Sequence, residues 1–549
     1  MRQWTVVAIG LLAAGCARDA AQAPAGPEMT LSGDSIRANT KTLSSDEFLG
    51  RGPGQPGGDL ATRFIAEKFQ QYGLEAVGGS YLQTVPMIGY TTDPSTVKLS
   101  FAGPQGSLEV PYLDGFVLNA GNPQATEASG SAEVVFVGYG IHAPEVNWTD
   151  FAGVDVRGKF ILILVNDPPA PADEPGLFGG PAMTYYGRWT YKWEEAARQG
   201  ALGALIVHET EPAGYPWSVV RGGRSGEQFS LPTDPNASPP AAMVGWVTRE
   251  AAAGLLALAG LSYDELKAAA GKRGFQAVAT GVTATASLQA TQRQVETANV
   301  VGLVRGSKTP DDVITVTSHH DHFGVGEAID GDSIYNGASD NASGVALLME
   351  MARVYAALPE RPGRSVLFIA TAAEEQGLLG SQWYVQSPLF PLDHTVAEVN
   401  LDGANLYGET DDVTMAGEER NGLGVFARAR AAEMGLTITP DQEPQKGFFF
   451  RSDHFPFARA GVPALYPGHG RLYRGKPAEW GRQLDDEYTA QRYHAPSDEF
   501  SEDWVFEGAV QQGLLALRII WDIAQDTTWP NWNEGQEFKA ARDAMMTPR

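Results

Sequence analysis

Hydrophobic positions in the second half of the chain form short apolar runs that alternate with amphipathic stretches. The apolar runs at 313–318, 366–371 and 396–401 predict strands. The stretches at 344–358 and 377–385 between them predict helices. This order predicts an α/β fold, in which a mostly parallel central sheet carries helices on both faces. Functional side chains of such a sheet gather at the carboxyl ends of its strands.

The first half of the chain has a less regular pattern. Apolar residues recur at helical spacing between positions 59 and 72, and Gly73 ends the predicted helix. Short alternating runs, separated by glycine and proline turns, predict strands after it. We predict one main unit built from 30–129 and 286–549, with a second unit inserted at 130–285.

Three short motifs lie in the predicted insert. They are Gly138-Tyr139-Gly140, Asp-Val-Arg-Gly-Lys at 155–159 and Ala-Ala-Arg-Gln-Gly-Ala at 196–201. Together they resemble the protease-associated (PA) domain, which is inserted in many secreted peptidases. The resemblance implies a mainly-β insert next to an active site, which either covers the substrate or stabilises the fold without touching it.

Composition restricts the chemistry that the chain can perform. Its 549 residues include 66 acidic and 40 basic side chains, a net charge of −26 that would repel nucleic acid phosphates. We therefore expect no nucleic acid partner. The single cysteine, Cys16, excludes a disulfide framework and a thiolate metal cluster, so metal ligands must be nitrogen and oxygen atoms.

The first residues predict export. Arg2, an apolar run at 6–14 and small residues before Cys16 resemble a signal peptide with the lipobox of bacterial lipoproteins. We expect residues 1–16 to be this signal, Cys16 to be lipidated, and 17–29 to be a flexible tether. Ala17 after the cysteine favours the outer membrane, facing the periplasm or exterior, with the lipid anchor as the only membrane contact. An ordinary signal peptide that contains a cysteine is the alternative.

Histidines and carboxylates cluster where the predicted strands end. The clusters are His319-His320-Asp321-His322, Asp340-Asn341, Glu374-Glu375, Asp402 and Tyr493-His494. Projecting from one edge of the sheet, these acids would repel one another in a shared cleft. Two divalent cations would turn the three charges of Asp340, Glu375 and Asp402 into a net +1 site. Such a site favours a metal-bound hydroxide at neutral pH, the nucleophile that amide hydrolysis requires.

The HxD, DN, EE, NLD and YH motifs stand in the same order as in the M28 family of zinc aminopeptidases, which roughly residues 290–525 resemble. The resemblance implies two zinc ions, although other divalent metals are possible. One ion would be bound by His319 and Asp402 and the other by Glu375 and His494, with Asp340 bridging them.

The resemblance also implies roles for residues beside the ligands. Glu374 would be the general base, Asp321 would hold the ring of His319, and Tyr493 would stabilise the oxyanion. The spacing alone leaves His319 and His320 both open as ligands, because a shift of one residue in strand register exchanges their faces. His320, His322 and His454 are expected to support the site without binding metal. No catalytic part is expected for His142 and His208 of the insert.

Several functions fit this pattern. The leading interpretation is an aminopeptidase acting on peptides, in which phenylalanines at 448–450, 455 and 457 form either an apolar substrate pocket or part of the core. A carboxypeptidase would use the same site, with Arg451 or Arg471 binding a free carboxylate. Acyl-transfer enzymes that resemble glutaminyl cyclases use one zinc ion, so the full ligand set argues against them. A catalytically inactive binding protein of the same fold would not need the clustered acids.

Overall fold

The structure is a computed structural model that describes residues 27–233 and 238–547. The predicted signal peptide, the lipidation site Cys16 and residues 17–26 of the predicted tether lie outside the described residues. Within the two described ranges, no helix is both long enough and apolar enough to cross a membrane.

The helices and strands of the described residues are numbered in chain order. The α-helices are α1 Gly33–Leu43, α2 Pro56–Tyr72, α3 Trp189–Arg198, α4 Thr210–Ala213, α5 Trp217–Ser225, α6 Arg249–Ala257, α7 Tyr263–Ala270, α8 Gly344–Ala357, α9 Leu379–Gln386, α10 Gly424–Glu433, α11 His454–Arg459, α12 Trp480–Gln491, α13 Glu507–Gln525 and α14 Lys539–Met546. The strands are β1 Leu82–Thr92, β2 Lys98–Gly103, β3 Gly106–Glu109, β4 Phe116–Ala120, β5 Glu127–Phe136, β6 His142–Ala143, β7 Trp148–Thr149, β8 Phe160–Leu164, β9 Gly203–His208, β10 Gln228–Ser230, β11 Met243–Thr248, β12 Val278–Val304, β13 Thr309–His319, β14 Gly324–Ile329, β15 Asp332–Tyr335, β16 Arg364–Thr371, β17 Thr395–Asn400, β18 Asp412–Ala416, β19 Thr437–Ile438 and β20 Ala464–His469.

The main unit has the predicted α/β fold with a mostly parallel central sheet. Strands β16, β13, β17 and β20 are parallel neighbours in that order, and antiparallel strands β12 and β18 flank them. Successive apolar residues point to opposite faces. Ile314 and Val316 pack in a large core with helices α1, α2, α8 and α13, whereas Val313 packs on the other face with residues of α9 and α11. Helices therefore cover both faces, as the sequence predicts.

The inserted unit has a second hydrophobic core. Strands β5, β8, β9 and β11 are parallel neighbours, with antiparallel β4 and β12 at the two sides. Apolar residues of β2 and β4, including Leu99 and Phe116, belong to this core. By packing, residues 98–120 therefore lie with the insert, although the predicted boundary stands at residue 130. The likeness of this unit to a PA domain stays a prediction.

One strand is shared by the two units. β12 is 27 residues long. Its first part pairs with β5 and β2 of the insert, and its second part pairs with β1 and β16 of the main unit. The chain thus returns from the insert to the main unit without a loop between them.

Candidate metal centre

The predicted site residues meet at one edge of the parallel sheet. His319 is the last residue of β13, Glu374 and Glu375 follow β16, and Asp402 follows β17. These three strands are parallel neighbours, so their carboxyl ends lie side by side. Asp340 lies in the turn Ala338–Ser343 before α8, and its peptide bond to Asn341 is cis.

The first group of ligand atoms surrounds the ring of His319. Its Nε2 atom lies 3.2 Å from Asp340 Oδ1 and 3.3 Å from Asp402 Oδ1. Two atoms bound about 2.0–2.1 Å from one tetrahedral zinc ion lie about 3.4 Å apart, so this spacing fits a shared cation. The three residues are close enough to hold one metal ion together.

The second group surrounds His494. Its Nε2 atom lies 3.2 Å from Glu375 Oε2 and 3.6 Å from Asp340 Oδ2. Asp340 therefore turns one carboxylate oxygen to each group, which is the arrangement that a bridging ligand requires. All five predicted ligands lie together, although they come from five separate segments of the chain.

The neighbouring histidines point in different directions. His320 Nε2 lies 3.0 Å from the carbonyl oxygen of Ala298, away from the carboxylates, so His319 is the residue that faces them. His322 lies closer to the site than expected, because its Nδ1 is 2.6 Å from Glu375 Oε1. It forms a third possible ligand group with Asp340 and Glu375. His454 is buried among aromatic residues that include Phe449.

Asp321 fixes the turn that carries the paired glutamates. Its carboxylate accepts hydrogen bonds from the main-chain N–H groups of Glu374, at 3.0 Å, and Glu375, at 3.3 Å. The same carboxylate lies 3.8 Å from His319 Nδ1, while the carbonyl oxygen of Asp321 lies 3.3 Å from that atom. The predicted contact with the His319 ring therefore involves both main chain and side chain, and Asp321 additionally orients the glutamates.

The paired glutamates have different surroundings. Glu375 contacts two histidines, whereas the carboxylate of Glu374 has no hydrogen-bond or ion-pair partner within the described part of the chain. Burial and neighbouring acids raise the pKa of Glu374 well above its usual value and that of Glu375 to about 8. An acid cluster of this kind is costly without a compensating charge, which bound cations would supply.

Sequence reasoning missed Arg51, which is fully buried beside the site. Its guanidinium donates to four carbonyl oxygens, those of Leu43, His320, Asn336 and Gly337, at 2.6–2.9 Å. Burial lowers its pKa to about 10, although the nearby acids act to raise it. The available signal is an arginine that stands between two glycines, Gly50 and Gly52. The N-terminal segment thus completes the main unit.

Asp498 was also missed. Its carboxylate accepts hydrogen bonds from the N–H groups of Ser339, at 3.1 Å, and Asp340, at 3.0 Å. Burial raises its pKa to about 6. The signal was its position four residues after His494, in a proline-containing turn that closes on the same site.

The aromatic stretch lies mainly in the core. Phe449, Phe450, Phe455 and Phe457 are buried, and Phe448 alone is 40% exposed. The packing therefore supports the core interpretation over a pocket lined by all five rings. Of the two predicted carboxylate-binding arginines, Arg471 is paired with Asp485 and Glu443, at 2.6 and 2.9 Å. Arg451 has no acidic partner in the described ranges.

The two histidines of the insert lie outside the site. His208 Nε2 contacts the carbonyl oxygen of Tyr215 at 3.0 Å, and the ring packs among Trp217 and Trp246. His142 lies beside Thr149, with 3.4 Å between Nδ1 and Oγ1. Neither ring contacts a predicted ligand.

Comparison with known proteins supports the same interpretation of the main unit. Residues 299–517 match the model of Peptidase family M28. Aminopeptidase YwaD of Bacillus subtilis (strain 168) is 30% identical over 259 residues, which cover 45% of this chain and 49% of that protein. A probable zinc metalloprotease of Pyricularia oryzae is 40% identical over 109 residues, 20% of each protein. The chain thus spans about half or less of these two curated relatives.

The fold has a counterpart among solved structures. An aminopeptidase from Aneurinibacillus sp. strain AM-1 superposes with a TM-score of 0.53 at 22% sequence identity, covering 91% of this chain and 96% of that chain. This similarity extends over the insert as well as the main unit, and it concerns the fold alone. The family itself is indicated by the sequence: residues 299–517 match peptidase family M28, and the site residues stand in the order of its motifs.

Proposed function

We propose that the protein is an exported metallo-aminopeptidase that releases N-terminal residues from peptides with a dinuclear zinc site. The observation that carries the proposal is the position of Asp340, whose two carboxylate oxygens face two separate groups of ligand atoms. Cations bound in the two groups would give each of these oxygens a metal to coordinate. The family assignment of residues 299–517 supports the same chemistry.

The donor set fits two zinc ions. His319 and Asp402 would hold one ion, Glu375 and His494 would hold the other, and Asp340 would contact both. The donors are imidazole nitrogens and carboxylate oxygens, as zinc prefers in a catalytic site. When bound, the ions polarise the scissile carbonyl and lower the pKa of a water molecule.

The residues of the chain perform the proton transfers in this proposal. Glu374, with its unpaired carboxylate, takes a proton from the attacking water and passes it to the leaving amine. Asp321 holds the Glu374 main chain in place, so the carboxylate keeps its direction. The ring of Tyr493 stacks on His494 with 3.7 Å between centroids, and its hydroxyl would donate to the developing oxyanion.

A carboxypeptidase is the second candidate, and one observation favours it. Arg451 has no acidic partner in the described residues, so the N–H groups of its guanidinium that do not contact Ala213 could bind a carboxylate. Arg471 is a weaker candidate, because its guanidinium is already paired with Asp485 and Glu443. The complete set of ligands and the unpaired Glu374 count against a binding protein without activity, which has no physical need for clustered negative charge.

The test compares three versions of one peptide, with both termini free, with a blocked N-terminus and with a blocked C-terminus. Residues 17–549 are assayed as purified, after chelation and after zinc is restored. Cleavage that requires a free N-terminus and zinc supports the aminopeptidase. Cleavage of the N-blocked peptide from its free C-terminus supports the carboxypeptidase, and no cleavage of any peptide supports the binding protein.

The cellular location is a separate proposal based on the sequence of residues 1–17. We propose that Cys16 carries a lipid that anchors the protein to the outer membrane. Cys16→Ser should move the protein from the membrane fraction to the soluble periplasmic fraction. A variant that stays in the membrane fraction would contradict the lipid anchor.

A further inference from the structure

Two arginines lie on facing segments of the insert and the main unit. Arg188 directly precedes α3 in the insert, and Arg451 lies shortly before α11 in the main unit. The segments around them are in contact. Met183 N–H donates to the carbonyl oxygen of Pro444 at 2.9 Å, and the ring of Tyr185 lies 5.0 Å from that of Phe455.

Arg451 reaches from the edge of the metal centre to the insert. Its Nη2 donates to the carbonyl oxygen of Ala213 at 3.0 Å, and its guanidinium carbon lies 5.5 Å from the ring centroids of Tyr215 and Phe448. Ser452, the next residue, accepts a hydrogen bond of 2.7 Å from Asn400, which ends β17. Asn400 stands two residues before the predicted ligand Asp402, so the segment that carries Arg451 is anchored beside the strand end of that ligand.

Arg188 lies in the same region. Burial lowers its pKa to about 10, and the like charge of Arg451 acts in the same direction, whereas Tyr215 and Tyr493 act against it. Asn166 links the two segments, because its N–H donates to the carbonyl oxygen of Gly187 at 3.2 Å and its Nδ2 donates to that of Pro212 at 2.9 Å. The backbone next to Arg188 therefore lies close to the carbonyl group of Ala213 that Arg451 contacts.

Neither arginine has a counter-ion. Within residues 27–233 and 238–547, no aspartate or glutamate forms an ion pair with Arg188 or Arg451, and the Nε atom of each is buried without a hydrogen-bond partner. In a chain with 66 acidic and 40 basic side chains, a largely buried arginine normally finds an acid. Two neighbouring cations without one repel each other, and a bound anion would remove that repulsion.

The geometry of arginine selects the kind of anion. Its planar fork of N–H donors matches the two oxygens of a carboxylate, and a pair of forks holds a carboxylate in a fixed direction. Peptides offer this group in two places, the C-terminus and the acidic side chains. Both would lie on the leaving side of the scissile bond when the N-terminal residue occupies the metal centre.

We propose that Arg188 and Arg451 form a subsite for a carboxylate of the substrate. The proposal rests on the proposed peptidase function. It narrows the substrates to peptides with a carboxylate shortly after the scissile bond on its C-terminal side. These are short peptides with a free C-terminus and peptides with an acidic residue directly after the N-terminal residue. The insert then takes part in substrate selection, since it supplies one of the two arginines.

The experiment measures kcat/KM of the zinc-loaded protein for two matched pairs of peptides. Leu-Gly-Gly with a free acid or an amide at its C-terminus tests the terminal carboxylate. Leu-Glu-amide and Leu-Gln-amide test the acidic side chain. We expect the carboxylate member of at least one pair to be cleaved about tenfold faster or more, and the pair that responds identifies the source. A ratio near one in both pairs would overturn the subsite.

Variants assign the effect to the arginines. In the peptide pair that responds, Arg188→Met and Arg451→Met should each bring the ratio of the two kcat/KM values towards one. The change should come mainly from a higher KM for the peptide with the carboxylate. Arg157→Met is the matched control, because Arg157 is an exposed arginine of the insert that is paired with Asp155, and it should keep the wild-type ratio. If a methionine variant does not fold, Arg188→Lys and Arg451→Lys keep the charge without the fork and should give an intermediate ratio. Wild-type ratios in all these variants would contradict the assignment.

A binding measurement separates this inference from the peptidase function. Calorimetry compares the binding of Gly-Gly and Gly-Gly-amide to the zinc-loaded Glu374→Gln variant, which is expected to keep the metal and to turn over neither compound at an appreciable rate. Tighter binding of the free acid, lost in Arg451→Met, supports the subsite even if no peptide is cleaved. Equal binding of both compounds together with normal peptide cleavage would leave the peptidase intact and reject the subsite.

Discussion

Arg51 is the single side chain on which several loops around the site converge. Its four hydrogen bonds reach carbonyl groups of a helix, of the strand end that carries His319, and of the turn before Asp340. Each buried carbonyl left without a donor costs about 1–3 kcal/mol. We expect Arg51→Met to lower the free energy of unfolding of the metal-free protein by several kcal/mol, measured by urea denaturation.

The control for this change is Arg63→Met, at an exposed position of α2. It removes the same charge without uncovering any carbonyl, so its unfolding should stay close to that of the wild type. A loss below about 1 kcal/mol in Arg51→Met would mean that water replaces the guanidinium at no great cost.

Glu374→Gln tests the proton transfer. The amide keeps the size of the side chain but cannot accept a proton, and general acid–base catalysis contributes typically about 10²–10⁴-fold to rate. We expect kcat to fall by a factor in that range while zinc content, measured by elemental analysis, stays unchanged. Glu360→Gln, on an exposed turn, is the control. Near wild-type turnover in Glu374→Gln would show that another residue is the base.

Asp340→Asn tests the bridging position. The change removes one negative charge from between the two groups of ligand atoms, so in the proposed dinuclear site both ions would lose a charged ligand. We expect the purified variant to contain less than half the zinc of the wild type. Asp330→Asn, at an exposed position of the hairpin that follows β13, should keep full zinc content. A zinc content in Asp340→Asn equal to that of the wild type would show that Asp340 does not bind the metal and only stabilises the turn.

At the residue scale, the sequence predicts the convergence of the ligands but not their support. His319, Glu375 and Asp402 follow apolar runs, and the ends of such runs meet in a parallel sheet, so their positions in the sequence predict that they lie together. Asp340 precedes α8 and His494 follows α12, so their place in the site was predicted by the family resemblance and not by the strand pattern. The choice between His319 and His320 depended on the strand register, which only the structure resolves, since β13 ends at His319 with that ring towards the carboxylates. Arg51 lies far from them in the chain, and no local pattern reports its distant carbonyl partners.

At the scale of elements, main-chain hydrogen bonds of the turn Ala338–Ser343 fix the position of the predicted ligand Asp340. Two of its main-chain N–H groups, those of Ser339 and Asp340, point at the carboxylate of Asp498. Removing that acceptor leaves two partly buried donors without a partner, at about 1–3 kcal/mol each. We expect Asp498→Ala to weaken zinc binding at least tenfold in competition with a chelator, because Asp340 is no longer held.

The conservative change Asp498→Asn keeps one acceptor oxygen and serves as the matched comparison. Its zinc affinity should lie between those of the wild type and Asp498→Ala. If Asp498→Ala binds zinc as tightly as the wild type, the turn is rigid without its acceptor and Asp498 has no positioning role.

Most elements of the main unit follow from the sequence, and the insert follows less well. The strands of the main sheet are buried on both faces, so they appear as continuous apolar runs, and α8 begins at Gly344 as predicted. The start of the insert has no such signal. β2 has the alternating pattern of a half-buried strand and β4 is a short strand buried throughout, so neither pattern tells the two cores apart. Only their packing in one cluster with Phe136 assigns them to the second core.

At the scale of the whole molecule, the insert carries an acid that links stability to pH. Burial raises the pKa of Asp150 to about 7, although N–H donors of Ile141 and Trp148 and the charge of Lys192 act to lower it. The unfolded chain releases this proton near its ordinary pKa of about 3.9. The stabilisation is therefore complete below about pH 4 and is lost as pH rises through about 7.

Asp150→Asn imitates the protonated form at every pH. We expect the free energy of unfolding of the wild type to fall between pH 4 and 7 relative to that of the variant, by about 1.4 kcal/mol for each unit of pKa shift. Calorimetric scans at several pH values measure the difference. Asp173→Asn, at an exposed position of the insert, should leave the pH dependence unchanged. Parallel curves for the wild type and Asp150→Asn would contradict the raised pKa.

The length of β12 restricts how the molecule can move. Its residues are hydrogen-bonded to β5 as far as Gln289 and to β1 from Ala290 onward, so pairing continues across the junction of the two units. Hinges need residues whose backbone angles are free to change, and paired strand residues are not. The insert is thus held in one orientation against the main unit, and swinging it away would require the paired part of β12 to break its hydrogen bonds. Any selection of substrates by the insert would then depend on its static shape and not on a hinge motion.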